Sequence, residues 1–530
     1  MNQRDFSLNN QMPKFNLEKE KKTENQLLKE YVWKKCVELD TDVTNRKSGI
    51  TGKTGVTKRQ AGYDTLRDFF DGDQWESVPE EGGTMRVYNY VATTVFNYTA
   101  FLTNESPEFD VPSSEITDPI EVDRSERKEI ILKKILADNV FSILFENAVQ
   151  GGSLLGDSFI IGPFWDAQEK RIRIHYVRRP ETIRPIFSSD DYQTIIGWIR
   201  DYYVAKEVAE VIFADDVQKK GITLSEQQIA YQHGSTSTDN TSQNMVHIRE
   251  YWDDVYAASW AGDKELNFTK HNWGFVPIIY TPNIPHPTRW NGISDVENIL
   301  DPQTEYNQNK SNLSDIVNEE AHPKLFGKNL MPVTVQGGAM QIIDMGDDAE
   351  MMQDPRHSTS QPLDSVVEKG RRDIFDASGQ NEVLYGGAGV QEATGRALSV
   401  LMQSVNNRVK GRQQRWNVNL QTLCRNIFIL LEKYEPKSRA LINGEYEVDI
   451  FFPGTLMRNV TDEINKFSRK LQSRYTTMKN IGVPSPKDEE NLIKKEFIDD
   501  TMLQAEGQKI MAQAIAAVQQ QQQSQQQGGS

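Results

Sequence analysis

Two short glycine-containing motifs in this sequence resemble parts of nucleotide-binding sites. Gly52-Lys53-Thr54 matches the end of a phosphate-binding loop, but the first glycine of such a loop would fall at Lys47 and no buried strand precedes it. Gly387-Ala388-Gly389 begins a dinucleotide fingerprint whose third glycine is replaced by Glu392. Because a phosphate cradle needs both the glycines and a strand-to-helix turn, neither pattern predicts a nucleotide site.

Metal-binding and redox chemistry find equally little support. The histidines show no HxH or HxxxH spacing, which a metal site commonly uses. The seven are His175, His233, His247, His271, His286, His322 and His357. Cys36 and Cys424 are too far apart to share a ligand spacing, and we expect two reduced thiols. The carboxylates form no nuclease-like pattern, although a cluster made only by folding stays open. We therefore expect no metal, no cofactor and no catalytic residue.

A short basic stretch is the remaining candidate. It consists of Arg408, Lys410, Arg412 and Arg415. Two interpretations are open: a solvated helix face with ion pairs between subunits, or a patch that faces DNA.

The overall charge bears on that choice. The chain of 530 residues has 60 Lys and Arg against 76 Asp and Glu, a formal net charge of −16. This is the wrong sign for an enzyme that grips DNA by neutralising phosphates. An acidic protein can still surround a duplex, because like charges keep the polymer off the wall.

Hydrophobic residues make up only 37%, so part of the apolar burial is expected to come from neighbouring subunits. The first ten residues have no apolar signal-peptide core and no stretch approaches a membrane span, which predicts assembly in the cytoplasm. Residues 1–59 are predicted to form a partly flexible arm with one helical patch around residues 27–39. Residues 518–530 are a Gln-rich tail that can bury nothing.

The periodicity between these ends predicts a mixed architecture. Helical spacing covers residues 63–70, 86–102 and 123–152. Short β-branched and aromatic runs then predict a meander of strands. They cover residues 159–161, 172–177, 194–199 and 202–204, and we expect 245–252 and 276–280 to extend the same sheet region.

The second half is predicted to be mainly helical. Asp301 as an N-cap and Pro302 as the first helical residue open a polar helix that reaches Ala321. It has too few apolar residues for a domain core, so we expect a narrow packed stripe with water elsewhere. Residues 333–335 and 340–343 predict a small hairpin-like insertion. A second helix covers residues 362–377, and a helix of about forty residues runs from Thr394 to Tyr434, with a kink expected at Gly411.

The C-terminal part returns to short elements. A strand is predicted over residues 446–452, followed by helices. Their apolar positions are Ile464, Phe467, Leu471 and Tyr475, and then Leu492, Ile493 and Phe497.

Three local patterns, in this order of elements, resemble the portal proteins of tailed bacteriophages. The segment from Leu66 to Trp75 contains a G-x-Q-W turn, and Arg86 with Asn89 follows it as R-x-x-N. Residues 151–161 with 177–186 resemble the family's "GD" strand and "P-E" turn. Residues 292–296, with Asn307 and Asn309 beyond, look like the family's entry into its stem. The long helix departs from the family's "S-G-x-A" start, since Thr394-Gly395-Arg396-Ala397 stands there.

The resemblance implies an α+β fold and an elongated subunit with wing, stem, clip and crown. Its expected parts are a flexible N-terminal arm (1–59), a wing of helices and β-meander (60–292), stem helix 1 (293–322), a small α/β clip (323–360), stem helix 2 (361–377), a tunnel loop (378–393), a long kinked wing helix (394–436), a wing strand (437–460), crown helices (461–517) and a Gln-rich disordered tail (518–530).

The resemblance also implies a structural role at one vertex of the capsid. The expected homo-oligomer is a ring, usually a dodecamer, whose channel passes double-stranded DNA during packaging and ejection. Expected partners are the terminase large subunit, a head-tail adaptor or neck protein, and the major capsid or scaffolding protein, with no membrane. The alternatives are another head or neck structural protein without a channel, and a DNA-processing enzyme.

Within this interpretation, two groups of residues face the channel. The tunnel-loop candidates are Asn381, Glu382, Val383, Leu384, Tyr385, Gly386, Gly387, Gly389 and Gln391. The stem candidates are Asn307, Lys310, Lys369 and Arg372.

Overall fold

The computed structural model describes the larger part of the chain, in segments. These are residues 26–35, 58–75, 85–104, 106–114, 118–189, 192–225, 227–230, 242–321, 324–327, 341–344, 361–380, 402–452, and short stretches between 464 and 497. They divide into two compact units, one of Met1–Thr103 with Val111–Val448 and one of Asn104–Asp110 with Asp449–Ser530. The mixed helical and strand content confirms the α+β prediction.

The helices of the larger unit flank a strand-rich middle in the sequence. They are α1 (26–35), α2 (Lys58–Asp71), α3 (Tyr90–Thr103), α4 (Pro119–Asp138), α5 (Phe141–Leu155), α6 (Lys206–Ile212), α7 (Ala214–Lys220), α8 (Leu300–Ala321), α9 (Gln361–Ser378), α10 (Gln403–Tyr434) and α11 (Pro436–Ile442). No helix among the described residues is long and apolar enough to cross a bilayer.

The strands form several small sheets. They are β1 (Glu108–Asp110), β2 (Asp157–Asp166), β3 (Arg171–Tyr176), β4 (Ile183–Phe187), β5 (Ile195–Ala205), β6 (Gln227–Ala230), β7 (Ser242–Asp253), β8 (Tyr256–Ala261), β9 (Lys264–Lys270), β10 (Ile278–Pro282), β11 (Lys324–Gly327), β12 (Gln341–Asp344) and β13 (Asp449–Phe451).

The predicted single sheet region is two sheets. Strand β10 pairs with β2, which pairs with β3, in a three-stranded sheet. A six-stranded antiparallel sheet has the order β4-β5-β7-β8-β9, with β6 also on β7. The two short runs predicted at residues 194–199 and 202–204 belong to one strand, β5. The prediction of antiparallel strands in this region is confirmed, but the prediction that they form one sheet region is wrong. The residue pattern of a strand does not specify which strand lies beside it.

The segment around residues 123–152 is two helices rather than one. Helix α4 starts on Asp118, whose side chain accepts the Ile120 amide, with Pro119 following as the preferred first residue. It ends at Asp138, and Val140 has a left-handed backbone before α5 begins at Phe141. A β-branched residue rarely adopts that conformation, so the sequence carried no signal for the break.

The region after α8 contains a parallel strand pair. Strands β11 and β12 pair in parallel, with Lys324 opposite Gln341, so these two strands cannot be joined by a tight turn. Residues 333–335, the first arm of the predicted hairpin, lie outside the described residues, so that hairpin stays a prediction.

Helix α1 packs on the six-stranded sheet. Leu28 and Val32 are buried in a cluster with Tyr251 and Trp260. Trp33 meets Trp260 edge to face at 5.3 Å, and the Arg249 guanidinium lies 4.4 Å from the Trp33 ring centroid. The helical patch predicted inside the flexible arm thus forms a helix over residues 26–35 and belongs to the core.

The smaller unit is described in less detail. Strands β1 and β13 pair antiparallel, with Phe109 opposite Ile450. The predicted strand over residues 446–452 is shorter than expected, and the described residues between 464 and 497 are mostly helical.

Candidate functional site: helices α8 and α9 and their anchors

Helices α8 and α9 pack side by side and form the region that the sequence predicts to line a channel. Tyr306 of α8 and Val367 and Ile374 of α9 are buried in one cluster, together with Val91 and Val95 of α3. Tyr90 joins the two helices, with its ring 5.5 Å from Tyr306 and 5.7 Å from Phe375. Burial raises the pKa of the Tyr306 hydroxyl, so it stays neutral.

The polar inner face of α8 is hydrogen-bonded to the segment that leads into α3. The amides of Arg86, Tyr88 and Tyr90 donate to the side chains of Ser311, Asn307 and Gln303 at 3.0, 3.0 and 3.1 Å. Ser311, Asn307 and Gln303 are four residues apart, so they lie on one face of α8, about 6 Å apart along its axis. The alternate amides of residues 86–90 therefore meet successive turns of α8 over two steps, and α8 supplies the acceptors that a neighbouring strand would otherwise provide.

The G-x-Q-W and R-x-x-N patterns complete this arrangement, which we term the amide ladder. The Asn307 side-chain amide donates to Gln74 Oε1 at 2.6 Å, and the Gln74 amide donates to the Phe69 carbonyl at 2.7 Å. Asn89 caps α3 by accepting the Ala92 amide, and its own amide donates to the Phe70 carbonyl. These motif residues are thus structural anchors.

This geometry corrects one predicted channel residue. Asn307 is only 1% exposed, because its amide is shared among Tyr88, Gln303 and Gln74. It cannot also face a water-filled bore in this chain. The argument that α8 is polar because it meets water is therefore wrong for its buried polar residues.

The other three stem candidates differ in position. Lys369 and Arg372 are exposed on α9. Lys310 is half-buried on the inner face of α8, one turn after Tyr306, with its ammonium 5.9 Å from the Tyr88 ring centroid. The sequence of α8 carries five acidic residues against one basic, and that of α9 four against three. The pair of helices is therefore net acidic.

The tunnel-loop candidates, from Asn381 to Gln391, lie outside the described residues. The residues just before them are firmly held. The Ser378 carbonyl accepts the Tyr98 hydroxyl and the Arg408 guanidinium, both at 3.0 Å. The Gln380 side-chain amide donates to the Thr94 carbonyl at 3.0 Å, and Gly379 has a φ of +67° with Arg408 directly against it. A side chain on residue 379 would clash with that guanidinium.

The basic stretch on α10 was predicted to be either a solvated face or a patch that faces DNA. Its arginines instead bond within the chain. Arg412 forms a buried ion pair with Asp295, and its guanidinium lies 4.1 Å from the centroid of the Tyr98 ring. Burial, and then the Asp295 charge, raise the pKa of Tyr98. Arg415 donates to the Asn283 carbonyl, whereas Lys410 is exposed. The arginines therefore anchor α10 within the chain.

The "GD" pattern is a second buried junction. Asp157 is 1% exposed and accepts the hydroxyls of Tyr63 and Tyr280 and the Gly292 amide. Gly156 and Gly292 approach so closely that a Cβ on either would strike the other's carbonyl oxygen. The Gly requirement at both positions thus has a packing cause.

No group of three or more His, Cys, Asp or Glu in the described residues could hold a metal. His247 is hydrogen-bonded to Asp201, and burial lowers the pKa of His271 to about 4, so that imidazole is neutral. Cys424 is buried, and Cys36 and residues 52–54 lie outside the described residues.

Comparison with known proteins identifies the family. A family model described as "Phage portal protein, SPP1 Gp6-like" matches residues 85–501, more than three quarters of the chain. A search of curated proteins found no match to this chain. The matched region contains both helices of the candidate site, with the ladder's acceptors on α8, and the buried Asp295–Arg412 pair. The chain belongs to the phage portal protein family, whose members are structural components of the bacteriophage virion.

Proposed function

We propose that this protein forms a ring at one vertex of the capsid and that the ring's channel passes double-stranded DNA in packaging and ejection. The observation that carries the proposal is the difference between the two faces of α8 and α9. Their inner faces pack and form hydrogen bonds within the chain, whereas their outer faces are exposed and rich in carboxylates. A surface of that charge suits a wall past which DNA slides.

Lys310, Lys369 and Arg372 are proposed to face this channel. The sequences of α8 and α9 together carry nine acidic residues against four basic ones. A wall with so few cations releases few counterions from a duplex, so its grip on DNA stays weak. Such a wall would let DNA move in either direction.

The loop from Asn381 to Gln391 is proposed to narrow the bore. Its support is the position of the residues just before it, since Ser378 and Gln380 are hydrogen-bonded to α3 and Ser378 also to Arg408 of α10. Glycines at 386, 387 and 389 allow many backbone conformations, which would suit a segment that moves as the duplex passes.

The remaining roles follow from the family. We propose docking to the terminase large subunit, to a head-tail adaptor or neck protein, and to the major capsid or scaffolding protein, after assembly of a dodecamer in the host cytoplasm. We also propose that the protein has no catalytic activity, because its family is a structural one.

Electron microscopy of the purified protein tests the ring. We expect closed rings of about a dozen subunits with a central channel, as heterologous interfaces produce when they close. Class averages with only monomers or dimers would contradict the proposal. A closed assembly without a channel would indicate a different head or neck component.

A phage complementation assay tests the loop. Replacing residues 381–391 by a short Gly-Ser link should leave rings intact but abolish packaging or retention of DNA. A variant of full length with Val383, Leu384 and Tyr385 changed to Ser separates an apolar contact from loop length. Wild-type packaging by the shortened variant would refute the loop's role, and loss of rings would show that the segment is structural.

Hydrolysis assays test the absence of catalysis. Clean protein with Mg²⁺ or Mn²⁺ should cleave neither ATP nor DNA. Metal-dependent cleavage that a single carboxylate substitution abolishes would overturn this.

A further inference from the structure

A cavity of about 1010 Å³ lies beside α10, on the face opposite its buried stripe. Described residues from 192–195, 274–290 and 411–429 line it, and we call it the groove. Aromatic side chains line part of it, namely Phe275, Tyr280 and Trp290. Val418, which is 62% exposed, lines the same space from α10. The groove is therefore large, open and partly apolar.

The charge of the groove is opposite to that of the protein. Arg289, Arg415 and Arg425 line it, and among its described lining residues there is no Asp or Glu. Arg289 also reaches Glu297 outside the lining at 3.4 Å, while burial lowers the pKa of Arg415. In a chain of net charge −16, a basic aromatic groove is complementary to an acidic apolar partner.

Helix α6 presents such a partner surface. Val208, Val211 and Ile212 are 48%, 78% and 60% exposed, at the i, i+3 and i+4 spacing with which a helix fills a groove. Glu207 and Glu210 are exposed beside them. We call these five residues the tip. Large apolar side chains grouped in this way on a surface mark a contact site.

The groove and the tip lie at opposite ends of one strand. Thr194 and Ile195, at the start of β5, line the groove, and α6 follows directly after Ala205 at the other end. Eleven residues of strand separate them by roughly 33 Å. A chain therefore cannot place its own tip in its own groove, and two different surfaces at opposite ends are what a head-to-tail ring requires.

We propose that the tip of one copy of this chain docks in the groove of the next copy around the ring. Val208, Val211 and Ile212 pack on the aromatic wall, and Glu207 and Glu210 face the arginines. This inference rests on the proposed ring and assigns its interface.

The test uses full-length protein with one exposed valine changed in each surface. Val211→Lys places a cation on the tip, and Val418→Lys places one in the groove. Both sites are exposed, so folding should be unaffected. Ile130→Lys, at a residue that is 66% exposed on α4 outside both surfaces, is the matched control.

Native mass spectrometry gives the readout. Ile130→Lys should form rings like the wild type, whereas each of the other variants alone should lose them. An equal mixture should stop at pairs of twice 60.6 kDa, since each variant keeps one working surface and each pair has one compatible contact.

The possible outcomes separate the two proposals. Wild-type monomers would refute the ring and the interface together. Rings formed by both Val211→Lys and Val418→Lys would refute the interface but not the ring. Rings formed by Val211→Lys but not by Val418→Lys would refute the tip and show that another segment fills the groove, and the converse result would refute the groove. Loss of rings with the Ile130→Lys control would show that any added lysine is harmful and would overturn the assignment.

Discussion

Helices α8 and α10 both look like surface helices in the sequence, and both use their polar residues inside the chain by different chemistry. Helix α8 buries the neutral side chains Gln303, Asn307 and Ser311. Helix α10 buries a charge, Arg412, against Asp295. A neutral amide costs little to bury when its bonds are made, whereas a charge has a large desolvation cost that its partner must offset. The two anchors should therefore fail differently.

The largest effect is expected from breaking the charged anchor. Arg412→Met leaves Asp295 buried without its cation and should lower the free energy of unfolding by about 3–5 kcal/mol. Denaturant unfolding at fixed protein concentration measures this. Lys410→Met, at an exposed position two residues earlier on the same helix, is the control and should change stability by less than about 0.5 kcal/mol.

A double variant then sharpens the interpretation. Asp295→Asn in the Arg412→Met background removes the stranded charge and should recover part of the loss. The Asn side chain can still accept from the Ser153 hydroxyl, which now donates to Asp295 at 2.6 Å. No recovery would mean that packing rather than charge holds this junction.

The neutral anchor should show a smaller loss. Asn307→Ala strands the Tyr88 amide and Gln74 Oε1 and should cost about 2–3 kcal/mol. Gln308→Ala, one residue along on the exposed face, should be nearly silent. Hydrogen exchange at the Tyr88 amide is the local readout. If the exchange of that amide stays slow in Asn307→Ala, the ladder is not what protects it.

A third region contains a charged anchor whose stabilisation should depend on pH. The neutral side chains of the amide ladder do not titrate, so the ladder should show no such dependence. In the six-stranded sheet Asp201 meets His247, Arg184 and Arg249. Burial alone would raise the pKa of Asp201, but the His247 hydrogen bond and the two arginine charges outweigh it and lower that pKa. Because the folded pKa lies below the unfolded value, this stabilisation is present above about pH 4 and is lost as the pH falls below it.

Asp201→Asn should therefore cost about 1–2 kcal/mol at neutral pH and flatten the acid dependence of stability. Unfolding midpoints between pH 6 and pH 3 measure the slope. Asp263→Asn, whose carboxylate is 89% exposed, is the matched control. An unchanged slope in Asp201→Asn would place the acid sensitivity elsewhere.

The sequence predicted the helices well where periodicity alone decides. Residues 302–321 and 362–377 were expected to be helical, and the structure has Leu300–Ala321 and Gln361–Ser378. The predicted N-cap at Asp301 lies inside α8, because a short 3₁₀ turn leads into the helix. The portal resemblance was carried by motif residues, and the family match confirms it.

Tertiary pairing was what the sequence could not supply. Nothing local tells that Ser311, Asn307 and Gln303 meet the amides of residues more than 200 positions earlier. The same holds for the parallel pairing of β11 with β12. Residues 86–89 are a further example. We predicted them to be helical, but they lie outside any helix, because the amides of Arg86 and Tyr88 bond to side chains of α8.

The smallest effect concerns the end of the amide ladder. Ser311 accepts the Arg86 amide at 3.0 Å, and its own hydroxyl donates back to the Asn307 carbonyl within α8. Ser311→Ala removes both of these hydrogen bonds at the end of the ladder and should cost about 1 kcal/mol, because only the Arg86 amide loses its acceptor. Exchange of the Arg86 amide should accelerate, while that of Tyr88 stays slow, because Asn307 still accepts it. If both amides exchange faster to the same extent, the ladder opens as one cooperative unit. Helix α8 would then be anchored by a cooperative network of hydrogen bonds, whereas α10 is anchored by a single ion pair.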